Sequence, residues 1–289
     1  MSRVVVGVDP SPSGAAALQW ALHEAVVTGA SVLAVRAWSP NAYAMEAYLY
    51  APPEAEPIEA ATAQLEADEQ LKLAVEQVPG ADALACTATA LLGPAAQVLV
   101  AQAADGDADG DMVVVGSRSH GALSRAVLGS VSSSVLHHAT GPVTVVPEPR
   151  DSDGTSARVV VGVDHSAASL TALAAAAAQA RRRGLSLVPV YVHEPIEMPR
   201  GGAQAPSLAL LEQSERHQLE AAAKAAGASD VEADVRVGHP VVELLRIARP
   251  QDLLVVGSRG RGGFAGLLLG STSTQLAQHA PCPVLVVRA

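Results

Sequence analysis

A glycine-rich segment near the end of the chain has the composition of an anion-binding turn. It comprises Gly257, Gly260, nine further residues, and then Gly270-Ser271-Thr272. A related segment, 141 residues earlier, comprises Gly116, Ser119 and then Gly129-Ser130-Val131. Glycine lets backbone N–H groups approach phosphate oxygens, and the start of a following helix adds positive potential. The spacing therefore predicts that the chain binds a nucleotide twice.

An aspartate ends the first apolar run of each half of the chain, Asp9 in one and Asp164 in the other. A carboxylate at the mouth of a nucleotide cleft can accept hydrogen bonds from ribose hydroxyls. Aspartate is also a good N-cap for a following helix. The pairing with the glycine segments favours the ribose role, and Ser13 offers another N-cap that would leave Asp9 free.

The glycine segments differ from the common phosphate-binding patterns. The phosphate loop of nucleotide hydrolases has a lysine directly after its last glycine, whereas this chain has Ser130 or Ser271 there. The dinucleotide fingerprint belongs after the first strand of its unit, which is not where these segments lie. A tight turn without any ligand stays open as the alternative interpretation.

The elements that would position these residues are repeated along the chain. Val4–Asp9 recurs 155 residues later as Val159–Asp164, and Gly93-Pro94 corresponds to Gly238-His-Pro240. The first copy is longer at Pro40–Pro57 and around Asp105–Asp111, which we interpret as surface loops. The repeat predicts domains at residues 1–147 and 158–289, joined by a linker at 148–157.

Each copy alternates short valine-rich runs with helical stretches, and valine runs without polar alternation indicate strands buried on both faces. The predicted fold class is α/β, with two tandem, doubly wound, open parallel sheets. Predicted strands lie near 3–8, 31–37, 84–91, 112–116 and 143–146, and near 158–163, 186–192, 231–236, 253–257 and 284–287. Both aspartates and both glycine segments would then lie at the carboxyl edge of a sheet.

Composition restricts the function further. The 289 residues carry a net charge of −10, which argues against a nucleic-acid partner. No run approaches a membrane span and no signal peptide precedes the first strand, so we expect a soluble, cytoplasmic protein. The two cysteines fit a reducing compartment, and no cluster has the spacing of metal ligands.

The chain resembles the universal stress proteins in their tandem two-domain form. Their signature, Gly-x2-Gly-x9-Gly-(Ser/Thr), is complete in the second copy, and Val-Gly-Val-Asp and the terminal Pro-Val-x-Val-Val also match. The resemblance implies a Rossmann-like fold similar to that of the adenine nucleotide alpha hydrolases. It implies ATP as the ligand, with ADP and AMP as alternatives, and Mg²⁺ that arrives with the nucleotide. It implies cofactor-binding roles for Gly7, Asp9, Ala37, Val115, Gly116, Gly129, Ser130, Val131, Gly162, Asp164, Val192, Val256, Gly257, Gly260, Gly270, Ser271 and Thr272. Of these, Ala37, Val192, Val115 and Val256 would flank the adenine.

The first copy departs from this signature because Ser119 stands where the second copy has Gly260. If the position needs a positive φ, a Cβ there costs about 1–2 kcal/mol, and we expect the second site to bind more tightly. The resemblance implies a regulatory stress-response protein whose final strands pair across an interface, so that we expect the two domains to pack together. We also expect a homodimer of the whole chain. The alternatives are a slow ATPase or nucleotidyl transferase that uses the same cleft, and an interaction module with empty sites.

Overall fold

The computed structural model describes residues 3–39, 58–104, 111–117, 128–149, 157–194, 208–260 and 269–288. The chain divides into two compact units, Met1–Pro149 and Arg150–Ala289. Most of the predicted linker lies outside the described residues, and so do Ser119 and the whole Pro40–Pro57 insertion. Among the helices that the structure describes, none is long and apolar enough to cross a membrane.

Unit 1 is a parallel sheet of five strands with helices between them. The strands are β1 (Arg3–Gly7), β2 (Ser31–Trp38), β3 (Cys86–Leu92), β4 (Met112–Gly116) and β5 (Val143–Val146). The α-helices are α1 (Pro12–Thr28), α2 (Ile58–Gln77), α3 (Ala95–Ala104) and α4 (Ser130–His138), and a short 3₁₀ turn spans Ala81–Ala83. The strand order is β3-β2-β1-β4-β5, with every described pairing parallel.

Unit 2 repeats this arrangement. Its strands are β6 (Arg158–Gly162), β7 (Ser186–His193), β8 (Asp234–Val237), β9 (Leu253–Gly257) and β10 (Val284–Val287). Its helices are α5 (Ala167–Arg183), α6 (Leu208–Ala225), α7 (Pro240–Ile247) and α8 (Ser271–His279). The order β8-β7-β6-β9-β10 is again parallel, which confirms the predicted fold class for both copies.

The core forms because valine strands are covered by helices with small side chains. Val4–Val6 of β1 are buried, and so are Val159–Val161 of β6. In unit 1 the alanines of α1 that face the sheet, Ala17, Ala21 and Ala25, are fully buried. Small side chains let the helix backbone approach the sheet closely, which suits a chain whose aromatic content is only 2%.

The strand order reverses direction beside the first strand of each unit. In unit 1, β2 and β3 lie on one side of β1 and β4 and β5 on the other. Crossovers leave such a sheet in opposite directions at this point, so a crevice opens beyond the carboxyl ends of β1 and β4. Asp9 and Gly116 come from those two strand ends.

An ion pair with a buried aspartate lies at the opposite, amino-terminal edge of each sheet. Arg3 donates from its backbone N–H and its Nε to Asp111, at 2.9 and 2.8 Å. Arg158 contacts Asp252 in the same way, with Nη2 2.7 Å from Oδ2. Asp111 is 2% exposed, so the expectation that it belongs to a surface loop is wrong at this residue. The remainder of that insertion, residues 105–110, lies outside the described residues.

Candidate functional site

A cleft opens at the carboxyl edge of unit 1, and its empty space, including the open mouth, is about 590 Å³. Seven of the eight residues predicted for this unit line it: Gly7, Asp9, Ala37, Val115, Gly116, Gly129 and Val131. Ser130 is the exposed first residue of α4, between two lining residues. The fold therefore brings together strand ends and a helix start that are far apart in sequence.

Asp9 lies in this cleft and is partly engaged by the neighbouring serine. Its Oδ1 accepts a hydrogen bond from the backbone N–H of Ser11 at 3.1 Å and another from the Ser11 hydroxyl. Ser11 in turn is the N-cap of α1, because its Oγ accepts from Gly14 N–H at 3.0 Å. The suggestion that Ser13 caps this helix is wrong: Ser13 is a buried residue within the first turn.

Asp164 has the same arrangement in unit 2. Its Oδ1 accepts from the N–H of Ser166 at 3.0 Å and from the Ser166 hydroxyl at 2.5 Å, while Ser166 caps α5. One difference is that Ser169 Oγ also accepts from Asp164 N–H at 3.2 Å. Unit 1 has Gly14 at the matching position, where a Cβ would collide with Oδ1 of Asp9. Each carboxylate is therefore oriented by the capping serine but packs against different neighbours.

The second glycine of the signature lies against the carboxylate in unit 2. A Cβ on Gly260 would stand 2.6 Å from Oδ2 of Asp164. Gly260 itself does not adopt a positive φ. The cost that a Cβ has at a left-handed backbone position therefore does not apply to Gly260. Its close approach to Asp164 is what favours glycine.

The glycines that end the strands serve close packing. A Cβ on Gly116 would lie 2.8 Å from the backbone C and O of Ser13, and one on Gly257 would lie 2.8 Å from those of Ala168. A Cβ on Gly7 would lie 2.9 Å from Leu99. A Cβ on Gly162, which ends the matching strand β6, would lie 3.1 Å from Leu244. These contacts explain glycine at the strand ends without requiring a ligand.

The helices that follow the glycine segments begin without a side-chain cap. Gly129 and Gly270 are the N-caps of α4 and α8, and neither start has a side-chain hydrogen bond of the kind that Ser11 gives α1. The first N–H groups of a helix have no partner within the helix. In unit 1 this uncapped start faces the cleft through Val131 and Ser132. In unit 2 the corresponding first turn contains Ser271 and Thr272.

The predicted adenine-flanking residues lie at the ends of the second strands. Ala37 pairs with Leu91 of β3, whereas Val192 pairs with Arg236 of β8. Burial disfavours the charge of Arg236, but hydrogen bonds and charges from Asp234 and Glu243 outweigh it and raise its pKa above the ordinary value. The end of the second strand is therefore paired with an apolar residue in unit 1 and with a charged residue in unit 2.

Val115 and Val256, the other two predicted flanking residues, are buried at 3% and 4% exposure near the ends of β4 and β9. Sequence reasoning missed several residues that line the unit 1 cleft, namely Val8, Gly14, Val35, Arg36, Ala95, Leu99 and Ser132. Three of these, Val8, Arg36 and Ser132, directly adjoin predicted positions, so the sequence could have identified their neighbourhood. Within the described ranges, no group of three or more His, Cys, Asp or Glu side chains could hold a metal ion.

Comparison with known proteins identifies the family. The model of the universal stress protein family matches residues 1–147 and 156–288. A universal stress protein of Mycolicibacterium smegmatis is 35% identical over 297 residues, covering 99% of this chain and 96% of its own length. Universal stress protein Rv1996 of Mycobacterium tuberculosis is 34% identical over 305 residues, covering 99% and 94% respectively.

A solved structure supports the fold. The crystal structure of a universal stress protein from Archaeoglobus fulgidus has a TM-score of 0.60 and 21% identity, and the match covers 99% of this chain and 96% of that one. At this identity the similarity concerns the fold alone. Together with the match of the family model to both repeats, these comparisons show that the chain belongs to the universal stress protein family.

Proposed function

We propose that this protein binds ATP at the carboxyl edge of each unit and acts as a nucleotide-dependent regulator of a stress response, with slow or no hydrolysis. The observation that carries the proposal is the unit 1 cleft, which combines a carboxylate, apolar walls and an uncapped helix start. These are the three kinds of surface that ribose, adenine and phosphate require. Unit 2 has the matching residues in matching elements.

The ribose would be held by Asp9 or Asp164. In each case Oδ1 is oriented by two hydrogen bonds from the capping serine, so the carboxylate is held in place before any ligand binds. A carboxylate at this position can accept from both ribose hydroxyls. The adenine would lie between the second-strand end, Ala37 or Val192, and the valine that precedes the glycine segment.

The phosphates would bind at the start of α4 or α8, where N–H groups and the helix dipole favour negative charge. Unit 2 offers a further reason. The pKa of Arg288 is lowered by burial and by the charge of Arg259, so two cations lie within electrostatic reach of each other after β9 and β10. A polyphosphate would relieve this repulsion, and Mg²⁺ would arrive with the nucleotide.

Slow turnover follows from the residue types available. Phosphoryl transfer is accelerated by groups that neutralise charge on the transferred phosphate and orient the nucleophile. The glycine segments supply arginine but not the lysine of a phosphate loop, since Lys72 and Lys224 lie on α2 and α6. The sequence also offers no evident base that would orient an attacking water. A single-turnover release of ADP at about 1 per second or faster would instead support the enzyme alternative.

The experiment is calorimetric titration of the purified protein with ATP after removal of copurified nucleotide. We expect two sites per chain, with Asp9→Asn and Asp164→Asn each abolishing one of them. Asp68→Asn, which changes an exposed carboxylate on α2, is the matched control and should retain both sites. No heat of binding, together with no nucleotide released by acid from the untreated protein, would favour the interaction module.

A homodimer is also part of the proposal and rests on the family resemblance. Light scattering of the purified protein measures the mass in solution, and a mass of one chain across the accessible concentration range would contradict the dimer.

A further inference from the structure

His165 lies in the loop that carries Asp164 and connects this loop to a distant helix. Its Nε2 contacts the carboxylate of Glu215 on α6, 50 residues away in sequence, and the two form an ion pair when the imidazole is protonated. Its φ is 61°, which makes it the only non-glycine residue in the left-handed region within the described part of the chain. Such backbone conformations cost energy and are kept where the surroundings hold them in place.

The described groups that face His165 come from three elements. Glu215 approaches from α6, and the ring of Tyr191 on β7 lies 5.2 Å away between centroids. His193, also on β7, stacks edge-on against Tyr191 at 4.7 Å. Asp164 precedes His165 in its own loop, and Ser166 follows it as the cap of α5. A change of charge at His165 therefore acts on the segment that orients the Asp164 carboxylate.

Unit 1 connects the equivalent loop to its own second helix with a different side chain. Arg36 of β2 donates from Nη2 to Glu66 of α2 at 2.9 Å and from Nη1 to the carbonyl of Val8 at 3.4 Å. Val8 immediately precedes Asp9. In the repeat register, Arg36 corresponds to Tyr191, and Pro10 corresponds to His165. Both units thus tether the loop that carries their carboxylate, one through a guanidinium and the other through an imidazole.

The guanidinium and imidazole groups respond differently to pH. A guanidinium keeps its charge throughout the physiological range, whereas histidine is the side chain whose charge changes near neutrality. A hydrogen bond between a cation and a carboxylate is about twice as strong as one between neutral groups. A tether made by an imidazole therefore weakens once the imidazole is neutral, whereas a tether made by a guanidinium does not change.

We propose that His165 is a positioning residue for Asp164, and that its ion pair with Glu215 makes nucleotide binding by unit 2 tighter at low pH while binding by unit 1 lacks this dependence. This inference rests on the proposed nucleotide sites. It gives the two copies distinct behaviour: one site would respond to acidification and the other would not.

The test compares the two sites between pH 6 and pH 8 by calorimetric titration with ATP. Unit 2 is measured in Asp9→Asn and unit 1 in Asp164→Asn. Titration of the nucleotide phosphates affects both sites, so the ratio of the two dissociation constants removes it. We expect the Kd of unit 2 to rise about threefold or more relative to that of unit 1 as pH increases. An unchanged ratio would overturn the proposal.

Three variants separate the tether from direct attraction between imidazolium and phosphate. His165→Asn removes the titration and tolerates the left-handed backbone, and Glu215→Gln removes the anion while keeping the imidazole. Both should abolish the pH dependence of the ratio. If Glu215→Gln retains it, the charge of His165 acts on the ligand directly and the tether is excluded. His193→Gln should leave the pH dependence of the ratio intact. If this variant loses the dependence, His193 rather than His165 carries the effect, and the proposal is wrong.

A measurement without nucleotide keeps this inference distinct from the proposed function. Between pH 6 and pH 8, the amide resonances of Asp164 and Ser166 should shift in the wild-type protein and remain still in His165→Asn. They should shift less in Glu215→Gln, which keeps the imidazole charge but lacks its partner. Absence of ATP binding at both units and both pH values would contradict the nucleotide sites themselves. Amide resonances that do not move in the wild type would contradict the positioning role of His165, whatever the outcome of the titrations.

Discussion

Gly260 and Asp164 approach each other so closely that a Cβ on the glycine would lie 2.6 Å from Oδ2 of the carboxylate. The glycine belongs to the segment after β9, and the carboxylate belongs to the loop after β6. Their contact therefore joins the two sequence features from which a nucleotide site is inferred. Since the φ of Gly260 is not positive, any effect of a side chain there should reach the site through Asp164.

Gly260→Ala should weaken nucleotide binding at unit 2. The added Cβ displaces the Asp164 carboxylate from the orientation that the Ser166 hydrogen bonds give it. We expect a loss of about tenfold in affinity, which corresponds to about 1.4 kcal/mol. Calorimetric titration of unit 2 in the Asp9→Asn background measures it.

Gly184→Ala is the matched control for that substitution. Gly184 ends α5 with φ at 65°, and a Cβ there meets no atom within 4 Å. Alanine at this left-handed position should lower the free energy of unfolding by about 1–2 kcal/mol and leave affinity unchanged. Equal affinity losses in both variants would mean that Gly260→Ala acts through general destabilisation rather than through Asp164.

Ser119→Gly should strengthen binding at unit 1, because it restores the glycine that unit 2 has at the position of Gly260. Ser119 lies outside the described residues, so this prediction comes from the repeat register and from the contact seen in unit 2. We expect unit 2 of the wild type to bind about tenfold more tightly than unit 1, and the substitution to narrow that gap. Calorimetric titration of unit 1 in the Asp164→Asn background measures the change. No gain in affinity would contradict the prediction.

Asp252→Ala should destabilise the protein without altering the nucleotide sites. The Asp252 side chain is fully buried and accepts from Arg158 at 2.7 Å and from the N–H of Arg249 at 3.1 Å. Its removal leaves an uncompensated, largely buried guanidinium, which costs about 3–5 kcal/mol. Urea unfolding followed by circular dichroism measures the loss.

The Asp234–Arg236 ion pair is the comparison for Asp252. Its N–O distance is 2.8 Å, similar to that of the buried pair, but both side chains are about a third exposed. Asp234→Ala should therefore cost less than about 1 kcal/mol. Similar costs for the two variants would show that burial does not govern the strength of these pairs.

Cys86 should react slowly with iodoacetamide near neutral pH. Burial on β3 raises the pKa of its thiol, and the thiolate is the reactive form. The rate of alkylation should therefore rise at a higher pH than it does for a free thiol, whose pKa is about 8.5. Cys86→Ser should remove the native reaction, because Cys282 is fully buried. Alkylation of the wild type with the profile of a free thiol would contradict this, and the urea-unfolded protein serves as the reference.

Much of the architecture could be read from local patterns. The runs that end at Gly116 and Gly257 predict the strands β4 and β9, because unbroken valine and leucine are typical of buried parallel strands. The 155-residue register between Val4 and Val159 likewise identified the repeat. The cap of α1 was missed because Ser11 and Ser13 are both good caps by type, and only the backbone geometry selects Ser11.

The sequence by itself determined the α/β class, the two copies and which residues end the strands at the carboxyl edge, because these follow from short-range periodicity and strand connectivity. Only the tertiary structure decided which of those residues touch. Gly260 meets Asp164, His165 meets Glu215 and Arg3 meets Asp111 across 96, 50 and 108 residues of chain. Contacts over such separations depend on where the crossover helices pack and how far each side chain reaches, and no local pattern encodes either.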